Sequence, residues 1–509
     1  PGKVIPEEVL VMHGFTSRRI DELLAALRKA GVPKVELKAI ITPTNASWTF
    51  YHLYEEIKEE HERMKQSAAE PQKCHRNRND EKKVAKMGRK AAKRTVKMPG
   101  KKIDKRMVLF MLLCMVVCLT ACIPEVVNQP EKKTVLQLWH YWGSEDARHC
   151  LASLIQKFNE THEEIEIQAN YIADEDFKKR LILAAAEGET PDLVVVDSSD
   201  IQYYDKAGIL QDLSSDIRKE DYLSRALISC HREDGHLVGL PLGMNCLMFY
   251  YNIDILSQAG VEPPKTLEEF VKAAERVTSE RVSGCAFPAL QSEESSFCFL
   301  PILWNYGGTL AQIDSLAGEQ AFGFLKQLAE NGALSEDNVN MTLSDIAWEF
   351  ANENIAMVFM ISGYENEIRE ENPDLHFAVT RLPCGENSIT VSGGEVLAVA
   401  CQEHEAEARE FVRYMAEPEQ TSQYIESMGY LSARKDLLKA QIQNNPEKKA
   451  CWDYLKEAKL REREAYWPSL SMELAESINR VILGQDEPEE LEQLSERINR
   501  IRRESYEKE

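Results

Sequence analysis

The sequence has no HExxH, no G-x-x-x-x-G-K-[ST], no G-x-G-x-x-G and no G-x-S-x-G. It therefore lacks the motifs that mark zinc peptidases, P-loop nucleotide hydrolases, dinucleotide-binding enzymes and serine hydrolases. It has 12 cysteines but no C-x-x-C, which argues against structural zinc and forces no disulfide. No zinc-finger, RRM-like or helix-turn-helix pattern accompanies its basic stretches, so nucleic-acid binding has no support beyond charge. His231 and His236 flank Glu233-Asp234-Gly235, but the spacing reads as a hydrated hairpin tip, and no metal or cofactor is expected.

Long apolar runs are also missing, with one exception. Residues 107–121 carry no charge and are mostly Leu, Val, Met and Cys, preceded by the basic flank Lys101-Lys102-Ile103-Asp104-Lys105-Arg106. A bilayer span needs about 20 such residues, whereas an export-signal core needs about 7–15 behind positive charge. The length fits export better than a permanent span. The run ends Leu119-Thr120-Ala121-Cys122, which resembles the bacterial lipobox and implies acylation of Cys122. A short buried helix ending by chance in Cys is the alternative.

Charge divides the chain at this point. Residues 1–122 hold 25 Lys and Arg against 14 Asp and Glu, a net of +11, while the chain as a whole is at −23. Residues 65–106 are rich in Lys, Arg, Gln and Asn and nearly free of large apolar side chains, so they read as a disordered linker or spacer. Residues 1–64 read as a small α/β domain. Val9 to Met12 and Val35 to Ile41 suit strands, and residues 21–27 and 48–60 suit helices. Lys38-Ala39-Ile40-Ile41-Thr42-Pro43-Thr44-Asn45, followed by Trp48 and His61, resembles a small bacterial family of unknown function. The chain opens on Pro, and Met87, Met98 and Met107 would each place the export segment at an N-terminus. The expectation is two neighbouring reading frames joined by fault, with a genuine fusion as the alternative.

Residues 107–122 are then the signal and lipobox, 123–133 a tether, and 134–509 the main domain. From Thr134 onward strands and helices alternate, which predicts α/β architecture. Val135 to Trp139 reads as a strand, Asp146 to Asn159 as an amphipathic helix and Ile165 to Ala169 as a second strand. Pro191-Asp192-Leu193-Val194-Val195-Val196-Asp197 is nearly all apolar, as a strand covered on both faces must be.

A resemblance gathers along this stretch. Pro191-Asp192-Leu193-Val194, Ala207-Gly208-Ile209-Leu210, Leu237-Val238-Gly239-Leu240-Pro241 and Phe249-Tyr250-Tyr251-Asn252 follow in order. Pro263-Pro264-Lys265-Thr266-Leu267, Gly307-Gly308, Ser392-Gly393-Gly394 and Leu431-Ser432-Ala433-Arg434 continue the series. Each is weak alone. Together, over residues 134–440, they resemble the extracellular solute-binding proteins of ABC importers (family 1, carbohydrate-binding type). The resemblance implies a two-lobed periplasmic-binding-protein-like fold with a hinge, preceded here by the small separate domain. It also implies a lipid-anchored monomer on the extracellular face of the cell membrane that captures a solute, most simply a sugar, and docks on ABC permease subunits.

Such a fold traps its ligand between lobes, with rings stacking on sugar faces and fixed polar groups bonding hydroxyls. Trp139, Tyr141 and Trp142 with Glu145 end the first strand, where alternation sends one ring or more toward the cleft or leaves an aromatic patch against a helix. Asp197-Ser198-Ser199-Asp200 ends the strand 191–197, where carboxylates suit sugar hydroxyls or helix capping, and Asp197 and Ser198 are the candidates. Asn245 lies at the expected crossover, in the cleft or in a plain turn. Trp304 and Tyr306 precede two glycines that permit close approach, or pack in the core. Tyr364 follows Ser362-Gly363, and Gly393 with Glu395 offers backbone and carboxylate, or a tight turn alone. Trp452 and Trp467 read as packing. No local carboxylate pair announces hydrolysis, so the expectation is a binder and no enzyme. A secreted glycan-degrading enzyme and a binder of peptide or another solute are the alternatives.

Overall fold

The computed structural model describes residues 9–13, 37–41, 58, 133–142, 145–232, 234–401, 403–486 and 489–506. The two expected helices of the first module, apart from Lys58, lie outside the described residues, as do the linker 65–106, the export segment with Cys122 and all but the last residue of the tether. The chain divides into two units, Pro1–Glu131 and Lys132–Glu509. In the first, β1 (Val9–His13) and β2 (Leu37–Ile41) pair in parallel, Val9 opposite Leu37 and His13 opposite Ile41. A parallel pair needs a crossover connection, as the strand-helix-strand reading required.

The second unit holds β3 (Thr134–His140), β4 (Ile165–Tyr171), β5 (Leu193–Asp197), β6 (Leu240–Pro241) and β7 (Asn245–Asn252). These are followed by β8 (Ser283–Ala286), β9 (Ile355–Ile361), β10 (Phe377–Thr380), β11 (Val391–Gly393), β12 (Glu395–Val399) and β13 (Lys459–Leu460). They form two sheets. One runs β4-β3-β5-β12-β6, and the other β13-β11-β7-β9-β8 with β10 also on β7. Alternation along β3 buries Leu136, Leu138 and His140, so one face meets the helices and the other is half covered. In β5, Leu193 to Val196 are all buried, and each such side chain contributes about 1.5–3 kcal/mol relative to exposure. Only Asp197, the last residue, emerges.

The chain crosses between sheets where β6 gives way to β7 and where β11 gives way to β12. Residues 242–244 make the first crossing and Gly394 alone makes the second. The two run side by side. Leu242 N–H donates to the Glu395 carbonyl at 2.9 Å, and Met244 and Leu431 exchange backbone bonds of 2.8 and 3.0 Å, bringing in a third strand of chain. Gly394 sits at φ 147°, and a Cβ there would lie 2.3 Å from the Gly243 carbonyl oxygen. No other residue fits that crossing without moving the backbone. Arg434, ending the Leu431 stretch, is buried, donates to the Ala416 carbonyl at 2.9 Å and lies 5.7 Å from the Tyr222 ring.

Helices cover both sheets. Glu293–Asn305 is buried from Ser295 to Leu303, and the helix Trp467–Ile482 packs along it with Trp467 fully buried. Trp452 is half-buried against the core. Eight cysteines of this unit are free thiols, seven buried and Cys384 half-buried. They serve as small core residues, as their scattered positions suggested.

Candidate functional site

In open α/β sheets the carboxyl ends of the strands are where ligands sit. At the end of β5, one Asp197 oxygen accepts from Ser199 N–H and Ser199 O–H, each at 2.7 Å, turning the chain into the helix Ile201–Lys206. Arg461, which follows β13 in the other sheet, comes within 2.8 Å of the Asp197 carboxylate. The same guanidinium reaches Glu293 at 2.7 Å and lies 5.0 Å from the Phe297 ring centroid. One arginine thus bridges a strand end of the first sheet to the first residue of a helix belonging to the second.

Glu293 opens its helix, where the exposed N–H groups and the macrodipole favour a carboxylate. Besides Arg461 it accepts from the Trp467 indole N–H at 3.0 Å and from the Ser471 hydroxyl. Lys178, on the helix Asp174–Glu187, lies 2.9 Å from Asp200, and its ammonium also feels Glu293. Glu395 begins β12 directly opposite Asp197 in the ladder and accepts from the Tyr424 and Tyr430 hydroxyls at 3.2 and 3.3 Å.

The electrostatics separate these carboxyl groups. Burial alone would raise Asp197, but Arg461 and the two Ser199 donors outweigh it and hold it below the usual carboxylate range. Burial pushes Asp200 up to about 7, with Asp197 and Glu293 adding to the rise and Lys178 opposing it. Burial, then the Asp197 charge, raises Glu395 to about 7 against the pull of the two tyrosines. Tyr141 is raised by burial and by Glu395, Asp197, Asp174 and Asp200, which places its phenol among them.

The residues singled out in the sequence fall into two groups. Tyr141, Asp197 and Glu395 meet in this cluster. Ser198 closes its edge by donating its N–H to the Gly394 carbonyl at 3.1 Å. Asn245 is 4 % exposed at the start of β7, opposite Gly393, and its side-chain oxygen has no donor among the described residues. Gly393 leaves room there, because a Cβ would lie 2.6 Å from that oxygen and 2.9 Å from the Phe297 ring. Trp142 is buried, its ring 5.4 Å from Tyr424, and Trp139 is half-buried against the core. His140 is buried between Trp142 and Tyr171, and burial, with Arg148, lowers it to about 4. Tyr364 opens the helix Tyr364–Glu371, shares a 3.2 Å hydrogen bond with Ser344 and is raised by burial and by Glu294. The side chain of Glu145 lies outside the described residues.

Trp304 and Tyr306 are elsewhere. They lie at the C-terminal end of the 13-residue helix that Glu293 opens, about 18 Å along its axis. Trp304 stacks against the Lys459 ammonium at 5.4 Å, and Tyr306 sits beside Glu268 and Cys384. Lys178, Glu293, Arg461, Tyr424 and Tyr430 were not marked by sequence reasoning, whereas Asp200 was read with Asp197 as a carboxylate at the end of the strand. Among the described residues, no three His, Cys, Asp or Glu converge to hold a metal ion.

Two sheets joined by paired crossings, with a polar cluster at the strand ends between them, define a clamp-type binding protein. Residues 153–450, more than half of the 509, match the family described as bacterial extracellular solute-binding protein, and the chain belongs to that family. Residues 8–64 match a separate domain of unknown function, DUF3783. The chain is 20 % identical to the melibiose/raffinose/stachyose-binding protein MelE of Bacillus subtilis over 58 % of its own length and 73 % of the relative's. It is 21 % identical to the arabinooligosaccharide-binding protein of the same organism, over 70 % and 84 %. Among solved structures it resembles a solute-binding protein of Thermotoga lettingae bound with α-D-tagatose, at TM-score 0.67, 21 % identity and coverage of 72 % and 100 %. It also resembles UgpB of Mycobacterium tuberculosis in complex with glycerophosphocholine, at TM-score 0.63, 19 % identity and coverage of 74 % and 100 %. The relatives are named as binding proteins. Among the described residues, no helix is long and apolar enough to cross a membrane.

Proposed function

We propose that the chain is the receptor of an ABC importer, exported and tethered through an acylated Cys122, and that it captures a sugar or oligosaccharide between its lobes for delivery to permease subunits. One observation carries the reading. Asp197, the ladder partner of Glu395 in one sheet, meets Arg461 beside the other sheet, and Arg461 carries the contact on to Glu293, beside the crossings that act as a hinge. Hinge closure around such a cluster removes the solute from water and gives every hydroxyl a fixed partner. The sugar-binding names of relatives and the lipobox-like Leu119-Thr120-Ala121-Cys122 support the same reading. Ligand-binding residues are then Tyr141, Asp197, Asp200, Asn245, Glu395 and Arg461, with Lys178 and Glu293 holding them in place.

Thermal-shift screening of the full-length chain against mono- and oligosaccharides tests the ligand class. Saturable stabilisation by a sugar is the expected result, because a ligand at a hundred times its Kd adds about 2.7 kcal/mol. Stabilisation by peptides or phosphodiesters alone would overturn the choice of sugar. Fractionation of cells carrying Cys122→Ser tests the tether, and an undiminished membrane fraction would exclude it.

A hydrolase is the second reading, and a specific observation favours considering it. Asp197 and Glu395 are ladder partners with acidities pushed apart, as in glycosidases. Against it, Arg461 and Ser199 already occupy Asp197, and two tyrosines occupy Glu395. Release of shorter sugars during incubation would decide for the enzyme.

A further inference from the structure

Two of the thiols meet each other. Cys246 is the second residue of β7, directly after the crossing made by residues 242–244, and is fully buried. Cys451 lies on the helix Pro446–Leu455 and is 8 % exposed, on the face that also buries Tyr454 and Leu455. That helix packs on β7, and the Cys246 S–H donates to the Cys451 sulfur. Ser362, just past β9, holds the pair from a third side. Its hydroxyl accepts from the Cys246 backbone N–H at 3.2 Å and reaches both sulfurs, while its own N–H donates to the Cys246 carbonyl at 2.8 Å. The Cys246 sulfur also lies 3.7 Å from that of Met248.

The other six thiols are placed differently. Those of Cys150, Cys230, Cys285 and Cys298 donate to backbone carbonyls at 3.9, 3.7, 3.6 and 4.0 Å. Cys384 and Cys401 face the carboxyl groups of Glu268 and Asp192. Among the described residues, only Cys246 and Cys451 put sulfur against sulfur. Acidity is divided across the pair as thiol exchange requires. The bond from Cys246, with Ser362 and the Lys448 ammonium, holds Cys451 below the usual thiol range against burial and Glu365. Its bond to Cys451 and its burial push Cys246 up. Cys451, at the edge of the core, is the thiolate that attacks, and Cys246 is the thiol that resolves.

We propose that Cys246 and Cys451 form a redox pair that closes to a disulfide within the native fold, the oxidant being a small disulfide such as oxidised glutathione. The Cys451 thiolate attacks one sulfur of that disulfide, giving a mixed disulfide and expelling the first small thiol. The Cys246 sulfur then attacks the Cys451 sulfur and expels the second. One S–S bond replaces two S–H bonds in the protein, and the two protons and two electrons end on the two released thiols. The bond closes a loop of about 200 residues, which restricts the unfolded chain. It also fastens the strand leaving the first crossing to the helix that leads into Lys456 and Ala458, whose carbonyls accept from Arg225 at 3.0 and 2.7 Å. The export reading supplies a compartment where such an oxidant is met, but the pairing rests on these contacts alone.

Peptide mapping tests the pair. The native full-length chain is incubated near pH 8 with oxidised glutathione or with dithiothreitol, alkylated, digested without reduction and read by mass spectrometry, and each form is melted. The expected result is a linked Cys246–Cys451 peptide in most oxidised molecules and a melting temperature at least about 3 °C above that of the reduced form. Cys451→Ser and Cys246→Ala should each remove both the linked peptide and the oxidant-dependent rise. If Cys246→Ala fails to fold, Cys451→Ser, at the edge of the core, decides the matter. Recovery of both peptides alkylated, arrest as a glutathione adduct on Cys451, linkage only after unfolding in urea, or a rise that survives Cys451→Ser would each overturn the proposal. No solute enters the measurement, so the pair and the sugar reading fail or stand separately.

Discussion

The two ends of the helix Glu293–Asn305 make an instructive contrast. Its C-terminal end carries Trp304, Asn305, Tyr306 and two glycines, the composition expected of a sugar platform, yet Trp304 stacks on Lys459 and Asn305 ties down Ile389 through bonds of 2.7 and 2.8 Å. Its N-terminal end starts with two glutamates and two buried serines. That end meets the strand termini of the other sheet, through Arg461. Composition describes what a segment can bind, and on the proposed reading the crossings decide which segment is placed to bind it.

Breaking the charged end should have the largest effect. Arg461→Met leaves Asp197 and Glu293 as buried carboxylates without their shared partner, and urea unfolding should show a loss of about 3–5 kcal/mol. Lys459→Met, which removes the β13 cation against Trp304 at the other end of that helix, should cost less than about 1 kcal/mol. Equal losses would erase the contrast.

Glu395→Gln sharpens the contrast through pH. The Glu395 carboxyl ionises at an ordinary 4.5 when exposed and near 7 when buried, so between those values the folded chain holds a proton that the unfolded chain has released. The stability this group contributes is complete below about pH 4.5, falls as pH rises toward 7 and then levels. Glutamine does not ionise. Its stability relative to wild type should therefore climb across that window, by roughly 3 kcal/mol at most. A flat difference would show that Glu395 is not buried as a neutral acid.

Gly394→Ala tests the crossing that brings the sheets together. Positive φ and the approach to the Gly243 carbonyl predict a loss of about 1–3 kcal/mol in the same assay. The smallest effects concern affinity. Asp197→Asn should weaken solute binding at least about tenfold, or about 1.4 kcal/mol, whereas Trp304→Ala should change it by less than about twofold. The reverse pattern would move the site to the other end of the helix.

The contrast also explains what was readable in the sequence. Strand ends were legible, because alternation and apolar runs fix where β3 and β5 stop, and Tyr141 and Asp197 stand at those stops. One crossing was legible, at Asn245 through the resemblance, whereas Gly393 and Glu395 were named as cleft groups or a tight turn without the second crossing being read. Arg461 was not, since it sits 264 residues from Asp197 in a stretch with no motif, and only the path of the chain between sheets joins them. Lys178 and Glu293 look like any charged residue on a helix surface until the other lobe is in view. Tyr424 and Tyr430 were hidden for the same reason: they precede the third strand of chain at the hinge.

Small-angle X-ray scattering of the full-length chain, titrated with a solute whose isotherm is known, tests the clamp most directly. The radius of gyration should fall in step with calorimetric saturation, and Asp197→Asn should need correspondingly more solute for the same fall. An isotherm that saturates while the scattering stays unchanged would contradict the account.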